Sequence, residues 1–285
     1  MSALGFSVLM SLYCKENPLA LEQCFQSIWD NQTIQPNEIV LVLDGPIGQE
    51  LQDCVDSWKK KIGSPLKIGS PLKIVSLAKN VGLGKALNEG LKHCSNEWIF
   101  RMDTDDICKP DRFEKQVKYI QENPDVVLFG GQILEFNEQP SDALIIKSVP
   151  TQHDEIVKFA QKRSPFNHMT VAYKKSVIDE VGGYQHHLFM EDYNLWLRVI
   201  GAGYRVGNHP DVLLFARVGN GMHARRKGLQ YIKSEKQLLD LKKNLKIQSP
   251  IYANLFFLIR ASFRLLPSNL LGILYNTFLR KKVQK

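Results

Sequence analysis

Glu97-Trp-Ile-Phe-Arg-Met-Asp-Thr-Asp-Asp106 decides how this chain is read. Its apolar first half is short and aromatic, as a buried strand is. It then runs straight into three carboxylates within four residues. Like charges this close repel unless something positive lies among them. Hard oxygen ligands suit Mg2+ or Mn2+, cations that normally bridge protein carboxylates to phosphates. A second reading makes Asp103, Asp105 and Asp106 an acidic turn capping a helix around Arg112–Gln121, because Asp is a favoured N-cap.

Upstream of this strand the pattern alternates. Phe6–Tyr13 is a short apolar run that ends in Lys15, Glu16, Asn17 and Pro18, and Leu19–Asp30 carries apolar residues at helical spacing. Glu38-Ile-Val-Leu-Val-Leu-Asp44-Gly45 is a second buried strand stopped by a Gly-Pro turn. A helix is expected near Gln49–Lys61, a strand at Leu72–Leu77 and a helix at Lys85–Cys94. Strands alternating with helices imply an α/β fold with a doubly wound, mostly parallel sheet. Ligands of such sheets sit beyond the carboxyl ends of the strands, where Asp44 and Asp103 both fall. Further on, Asp125–Gly131 reads as a strand, Ser176–Val181 as a short helix before Gly182-Gly183, and Glu191–Ile200 as a helix.

Between the second helix and third strand, Ile62-Gly-Ser-Pro-Leu-Lys67 is repeated at once as Ile68-Gly-Ser-Pro-Leu-Lys73. Two copies are too few for a repeat architecture. Gly-Ser-Pro is loop chemistry, and added loop length costs little. The segment is therefore read as a tandem duplication within a loop.

With 285 residues, 44% hydrophobic and 23% charged, the chain has the composition of a globular enzyme. The net charge of +8 is unevenly placed. Arg225–Lys285 holds 14 Lys/Arg against two Asp/Glu, so everything before it is slightly acidic. A basic tail of this kind suits an anionic membrane surface or another polyanion. Cys14, Cys24, Cys54, Cys94 and Cys108 form no CxxC pair, which points to reduced thiols and a cytoplasmic location. The apolar N-terminus lacks a basic flank and a cleavage site and reads as a first strand. No uninterrupted apolar stretch reaches the roughly 18–20 residues of a spanning helix.

Other motifs were weighed for chemistry. Glu191-Asp192 opens a helix: it offers a carboxylate to accept a proton from an attacking hydroxyl, or it merely caps the helix and offsets its dipole. Asn80-Val-Gly-Leu-Gly-Lys85 is a Gly-containing turn into a helix, suited to phosphate. It lacks the full dinucleotide and P-loop patterns, and the chain has no HExxH and no GxSxG.

Taken together and in order, these pieces resemble family 2 glycosyltransferases of the GT-A fold, of the bacterial O-antigen, capsule and exopolysaccharide type. The resemblance spans roughly residues 5–225. It rests on Ser11-Leu-Tyr13 with Glu16, Asp44-Gly45, Asn80–Asn88, Arg101–Asp106 with Pro110–Lys115, Gly182-Gly-Tyr184, and Glu191–Trp196. It implies a Rossmann-like GT-A domain over residues 1–225 and a basic, amphipathic helical tail over residues 226–285.

The resemblance also implies roles. Ser11, Tyr13 and Asp44 would frame the uracil and ribose of a UDP-sugar, with Glu16 and Asn80 alongside and Lys85 as the cation near the nucleotide. Asp103 would contact the ribose or the metal, Asp105 would hold that metal, Mn2+ or Mg2+, on the diphosphate, and Asp192 would be the catalytic base of a single inverting displacement. Glu191 and His168 are placed on the acceptor side, although such a His is also common as a structural residue. Arg225 and Arg226 either close over the diphosphate or simply begin the basic tail. One departure is Leu43, where many relatives carry a second acidic residue before Asp44.

Within Ile251–Leu279, Arg260, Arg264 and Pro267 interrupt an apolar run that ends at Arg280-Lys-Lys282. Two amphipathic helices in a membrane interface fit this pattern; helices packed on the catalytic domain are the alternative. The expected partners are thus a UDP-sugar donor, a polyprenyl-diphosphate-linked saccharide and the cytoplasmic face of the inner membrane, where the protein would be peripheral. No nucleic-acid partner is expected. A nucleotidyltransferase also uses an α/β sheet with metal carboxylates, but it would need a Gly-rich basic loop near the N-terminus, and Ser11–Asn17 contains no Gly. A non-catalytic scaffold held at the membrane by its tail is the third reading.

Overall fold

The computed structural model describes residues 4–63, 71–143, 145–218, 229–264 and 281–282. β1 (Phe6–Leu12) and β2 (Glu38–Leu43) are apolar almost throughout because both faces of each are covered. Between them lies α1 (Pro18–Ile28). Asn17 starts this helix, its side-chain oxygen accepting from the Leu19 and Ala20 amides at 2.8 and 3.2 Å, and Pro18 occupies the first turn. α2 (Gln49–Ile62), β3 (Leu72–Ser76), α3 (Leu83–His93) and β4 (Trp98–Arg101) follow in the expected alternation.

β3, β2, β1 and β4 are neighbours and all parallel. The second half extends this sheet in a way the sequence did not disclose. β8 (Ala172–Lys174) lies antiparallel against β4, and β6 (Val126–Phe136) lies antiparallel against β8. The C-terminal part of β6 pairs antiparallel with β7 (Ile145–Lys147), to which β10 (Lys281–Lys282) adds. Along β6 also runs β9 (Arg205–Arg217), parallel and shifted in register at Gly131–Ile133, and β9 pairs in turn with the short β5 (Ile107–Cys108). A strand of three residues such as β8 carries too little periodicity to read in advance.

Two cores flank the sheet. One packs Phe6, Val8, Met10 and Leu12 against α1, α2 and α4 (Arg112–Glu122). The other packs Leu9, Val40 and Val42 against α3, α5 (His153–Ala160), α6 (Lys175–Glu180) and α7 (Glu191–Gly201). The six residues of the duplicated loop's centre, with Ser70, lie outside the described residues; its first Ile ends α2 and its last Leu-Lys begins β3.

Two further helices follow: α8 (Leu229–Asn244) and α9 (Pro250–Arg264). The sequence places a helical tail over residues 226–285 and specifies individual amphipathic helices only within Ile251–Leu279. α8 lends Tyr231 and Leu238 to the second core, and Arg260 of α9 forms a two-pronged ion pair with the buried Glu235 at 2.6 and 2.9 Å. The helix expected after Pro267 falls outside the described residues.

Candidate active site

β4 delivers the acidic cluster, and buried arginines hold it. Arg101, the last residue of β4, is fully buried; its guanidinium pairs with the Asp103 carboxylate and bonds the Met102 carbonyl. Arg112, also buried, donates to the carbonyls of Arg101 at 2.6 Å and Met169 at 3.0 Å, tying the strand end to the turn before β8. Arg217, closing β9, donates its amide to Asp106 at 2.8 Å and its Nε to the Asp105 carbonyl at 3.1 Å. The acidic residues therefore do not cap α4. That helix starts after Asp111, beyond β5, and makes no side-chain cap bond there.

The three carboxylates differ sharply. Burial would raise Asp103, but the Arg101 charge more than offsets it and holds the group below the usual range. Asp105 is pushed up to about 6 by burial and by Asp103. Asp106 is driven well above the carboxylate range by burial and then by both neighbours. The Asp106 Oδ2 atom is buried with no hydrogen-bond partner among the described residues. Such a cluster, crowded with negative charge, fits a divalent cation. Among the described residues no three His, Cys, Asp or Glu side chains form a complete metal cage. An ion here would need outside oxygens such as a diphosphate.

Beside the cluster, β2 ends at Asp44. The buried Asp44 carboxylate accepts from the Val81 and Gly82 amides at 2.7 and 3.1 Å, and the Asn80 side chain donates to the Asp44 carbonyl at 3.2 Å. Asp44 thereby holds the turn that opens α3. Gly45 makes this approach feasible: its φ is +90°, and a Cβ there would lie 2.6 Å from the Asn80 nitrogen. Ser11 and Tyr13, both half-buried, lie at the end of β1 next to this strand end. Glu16 follows in the turn, its amide bonding the Tyr13 carbonyl at 3.1 Å. Lys85 is exposed on the first turn of α3.

The opposite wall is α7 and the loop before it. Asn88 of α3 bonds the Tyr184 backbone twice, both at 2.7 Å, which fixes the Gly182-Gly183-Tyr184 turn. Gly183 has φ +62°, and a Cβ there would meet the Asn88 oxygen at 2.7 Å. Tyr184 and Glu191 both pack against Gly84, next to Lys85. The Tyr184 hydroxyl lies 2.9 Å from Nε2 of His168. Burial and the Arg101 charge push His168 down to about 3, despite Asp103, so its ring is neutral at physiological pH. Arg101 thus pairs with Asp103, its charge acts on His168, and His168 in turn bonds Tyr184 in the segment that leads to α7. Glu191 and Asp192 form the first turn of that helix, where its dipole favours negative charge. Burial raises the Glu191 carboxyl.

Asp44 follows β2, Asp103 and Asp105 follow β4, Lys85 stands in the first turn of α3 with Asn80 just before that helix, His168 stands before β8, and Glu191 and Asp192 open α7. Arg225 and Arg226 lie outside the described residues. The sequence reading gave no role to Arg101, Asn88, Tyr184 or Arg217. The first three stood inside quoted motifs, but Arg217 carried no local signal because its partners lie more than a hundred residues away.

A mostly parallel, curled α/β sheet extended by antiparallel strands, with an acidic strand end facing a carboxylate-bearing helix, is the GT-A architecture. The sequence model "Glycosyl transferase family 2" matches residues 7–182, and the chain belongs to that family. An uncharacterized glycosyltransferase of Haemophilus influenzae is 51% identical over 97% of this chain and 99% of its own length. The amylovoran biosynthesis glycosyltransferase AmsE of Erwinia amylovora is 48% identical over 95% and 97%. The UDP-Gal:alpha-D-GlcNAc-diphosphoundecaprenol beta-1,3-galactosyltransferase of Escherichia coli is 37% identical, covering 97% of both chains. Among solved structures, S. aureus TarS 1-349 in complex with UDP-GlcNAc superposes with a TM-score of 0.64 at 18% identity, over 97% of this chain and 77% of that one.

Proposed function

We propose that this glycosyltransferase moves a hexose from a UDP-sugar to a hydroxyl of a polyprenyl-diphosphate-linked saccharide, with inversion, in the synthesis of a bacterial surface polysaccharide. The observation that carries the proposal is the position of Tyr184, whose hydroxyl bonds His168 and lies within electrostatic reach of both Asp103 and Asp192. That nearness supports a single site in which Asp103 and Asp105 serve the donor and Asp192 the acceptor. The named activities of AmsE and of the Escherichia coli galactosyltransferase, both similar along nearly the whole chain, support the polysaccharide setting and the lipid-linked acceptor.

In this reading Ser11, Tyr13, Glu16 and the Asp44–Asn80 turn receive the nucleotide, and Lys85 faces its phosphates. Asp103 and Asp105 hold a Mn2+ or Mg2+ ion, which when bound supplies positive charge to the departing diphosphate. Asp192 takes the proton of the acceptor hydroxyl. That oxygen bonds to the anomeric carbon as the carbon–oxygen bond to UDP breaks on the opposite face, and the bonding pair leaves with UDP. Asp192 suits this task because the start of α7 stabilises its charge. Glu191 and His168 lie on the acceptor side, and His168, being neutral, orients Tyr184 without competing for the proton.

The tail has a place in the same scheme. No described helix is long and apolar enough to cross a membrane. α9 buries Ala253 and pairs Arg260 with Glu235 but leaves Ile251, Tyr252, Leu255, Leu258 and Ile259 exposed along one side, Ile251 to 80%. An apolar stripe on a strongly basic segment is suited to an anionic bilayer surface, which would hold the enzyme at the cytoplasmic face where a lipid-linked acceptor lies.

The test is a donor screen: purified enzyme, Mn2+, a panel of UDP- and GDP-sugars, and a synthetic GlcNAc-diphosphate lipid or its glycosylated derivatives. Transfer from one UDP-sugar is expected. Transfer from GDP-sugars alone, or nucleotidylation of a sugar phosphate, would contradict the proposal.

A further inference from the structure

The loop between Tyr184 and α7 carries a feature that packing does not require. Phe189 has φ +66°, a left-handed conformation rare for a bulky residue, and its side chain is nevertheless 42% exposed. An aromatic ring drawn only by the core would be buried. Strained backbone of this kind persists where its surroundings over-determine it, and it concentrates at ligand-binding positions.

The surroundings here do over-determine it. The Ser234 hydroxyl of α8 bonds the Leu188 carbonyl, the Gln237 side chain bonds the His186 carbonyl at 2.9 Å, and the Met190 amide bonds the His187 carbonyl at 2.9 Å. His187 is locked between two helices. The Asn194 oxygen accepts from Arg198 Nε at 2.8 Å, so the Asn194 amide group donates to His187 Nδ1 at 3.2 Å. His187 then carries its hydrogen on Nε2 and donates it to the Ser234 carbonyl at 2.9 Å. On one face the Phe189 ring stacks on Tyr231, with centroids 5.4 Å apart and planes within 12°.

We propose that Phe189 is the acceptor-binding platform of the site, its exposed ring receiving the apolar C–H face of the acceptor's terminal pyranose. The inference rests on the transferase reading above, because it takes its ligand from the reaction. Phe189 stands two residues before Glu191 and three before Asp192, which puts the ring at the N-terminal end of the helix that carries the candidate base. The negative face of an aromatic ring attracts C–H edges, and rings of this kind are common linings of ligand sites. The charges nearest in sequence, Glu191 and Asp192, are acidic, which disfavours an anionic bilayer on this ring and suits a neutral sugar. α8 thereby acts as the positioning element of the acceptor side.

The test uses the full chain saturated with UDP and Mn2+ and measures saturation-transfer NMR with methyl pyranosides of N-acetylglucosamine, glucose and galactose. At least one pyranoside is expected to receive saturation on its ring C–H protons. Phe189→Ala should weaken that binding about tenfold, and Phe189→Trp should retain it. Phe189→Gly, which adopts the same backbone without strain, should fold at least as stably as Phe189→Ala and bind the sugar as poorly. UDP affinity by calorimetry should be the same in all four proteins. Unchanged pyranoside binding in Phe189→Ala, or no saturation of any pyranoside by the wild type, overturns the platform. Failure of the wild type to bind UDP would instead strike the transferase reading.

Discussion

The hydroxyl of Tyr184 and Nε2 of His168, 2.9 Å apart, link the turn before β8 to the turn at Gly182–Tyr184. His168 stands in the turn before β8 beside Arg101 and Asp103, whereas Tyr184 is fixed by Asn88 at the entrance to α7. In the proposed function this bond couples Asp103 and Asp105, assigned to the donor, to the helix bearing Asp192. Tyr184→Phe should therefore lower the transfer rate by up to about tenfold, the worth of one partly buried hydrogen bond. UDP affinity should stay as it is, because no donor-side group is altered. Steady-state kinetics beside UDP calorimetry separates the two; an equal loss of UDP affinity would place Tyr184 on the donor side.

Asp105 is raised to about 6 by burial and by Asp103, a cost that a bound dication would relieve. Asp105→Ala should abolish the dependence of UDP binding on Mn2+ and lower the affinity at least tenfold. Chelation with EDTA should do the same to the wild type. UDP binding that is equally tight with and without Mn2+ in the wild type would remove the metal from the account.

The exposed stripe of α9 gives a separable prediction. Ile251→Ser, Leu255→Ser and Leu258→Ser together leave Ala253 and the Arg260–Glu235 pair untouched. The triple variant should keep its thermal stability yet lose flotation with phosphatidylglycerol vesicles. Co-flotation equal to wild type would exclude this face as the membrane contact.

Lys242 supplies a pH signature of the junction between tail and body. Burial, with Arg260 nearby, pushes its ammonium down to about 7, although Glu235 opposes the change; it donates to the Gln161 carbonyl at 2.8 Å and sits over the Tyr193 ring. Between about pH 7 and 10 the folded chain then holds fewer protons than the unfolded chain, so stability rises with pH across that window and the full penalty applies below it. Thermal unfolding should shift upward by a few degrees from pH 7 to pH 9.5, and Lys242→Met should flatten the rise. A wild-type melting temperature that falls over this range would contradict the lowered proton affinity of the buried Lys242 amine.

The parts legible in the sequence were those with local signals. The runs Phe6–Leu12, Glu38–Leu43 and Trp98–Arg101 are apolar enough to be read as buried strands, and their alternation with helices gave the doubly wound sheet. Asp103 and Asp105 stood out because they end such a strand. What stayed hidden depends on contacts distant in sequence. The three-residue β8 is defined by its neighbours β4 and β6, and Arg217 reaches Asp105 and Asp106 across more than a hundred residues. Within the expected helical tail the bounds and packing of α8 were not legible, because its polar composition obscures the few residues, Tyr231 and Leu238, that join the second core. Phe189 could not be singled out, since a left-handed φ leaves no mark on a lone aromatic residue.

The central claim is the division of labour between Asp103 with Asp105, which hold the donor, and Asp192, which activates the acceptor. The measurement that tests it most directly is UDP calorimetry with Mn2+ paired with single-turnover transfer on Asp192→Asn. The account predicts wild-type UDP affinity with transfer reduced by a factor of about 100 to 10,000, the usual worth of a general base. Transfer within a few-fold of wild type, or UDP binding lost together with activity, would contradict it.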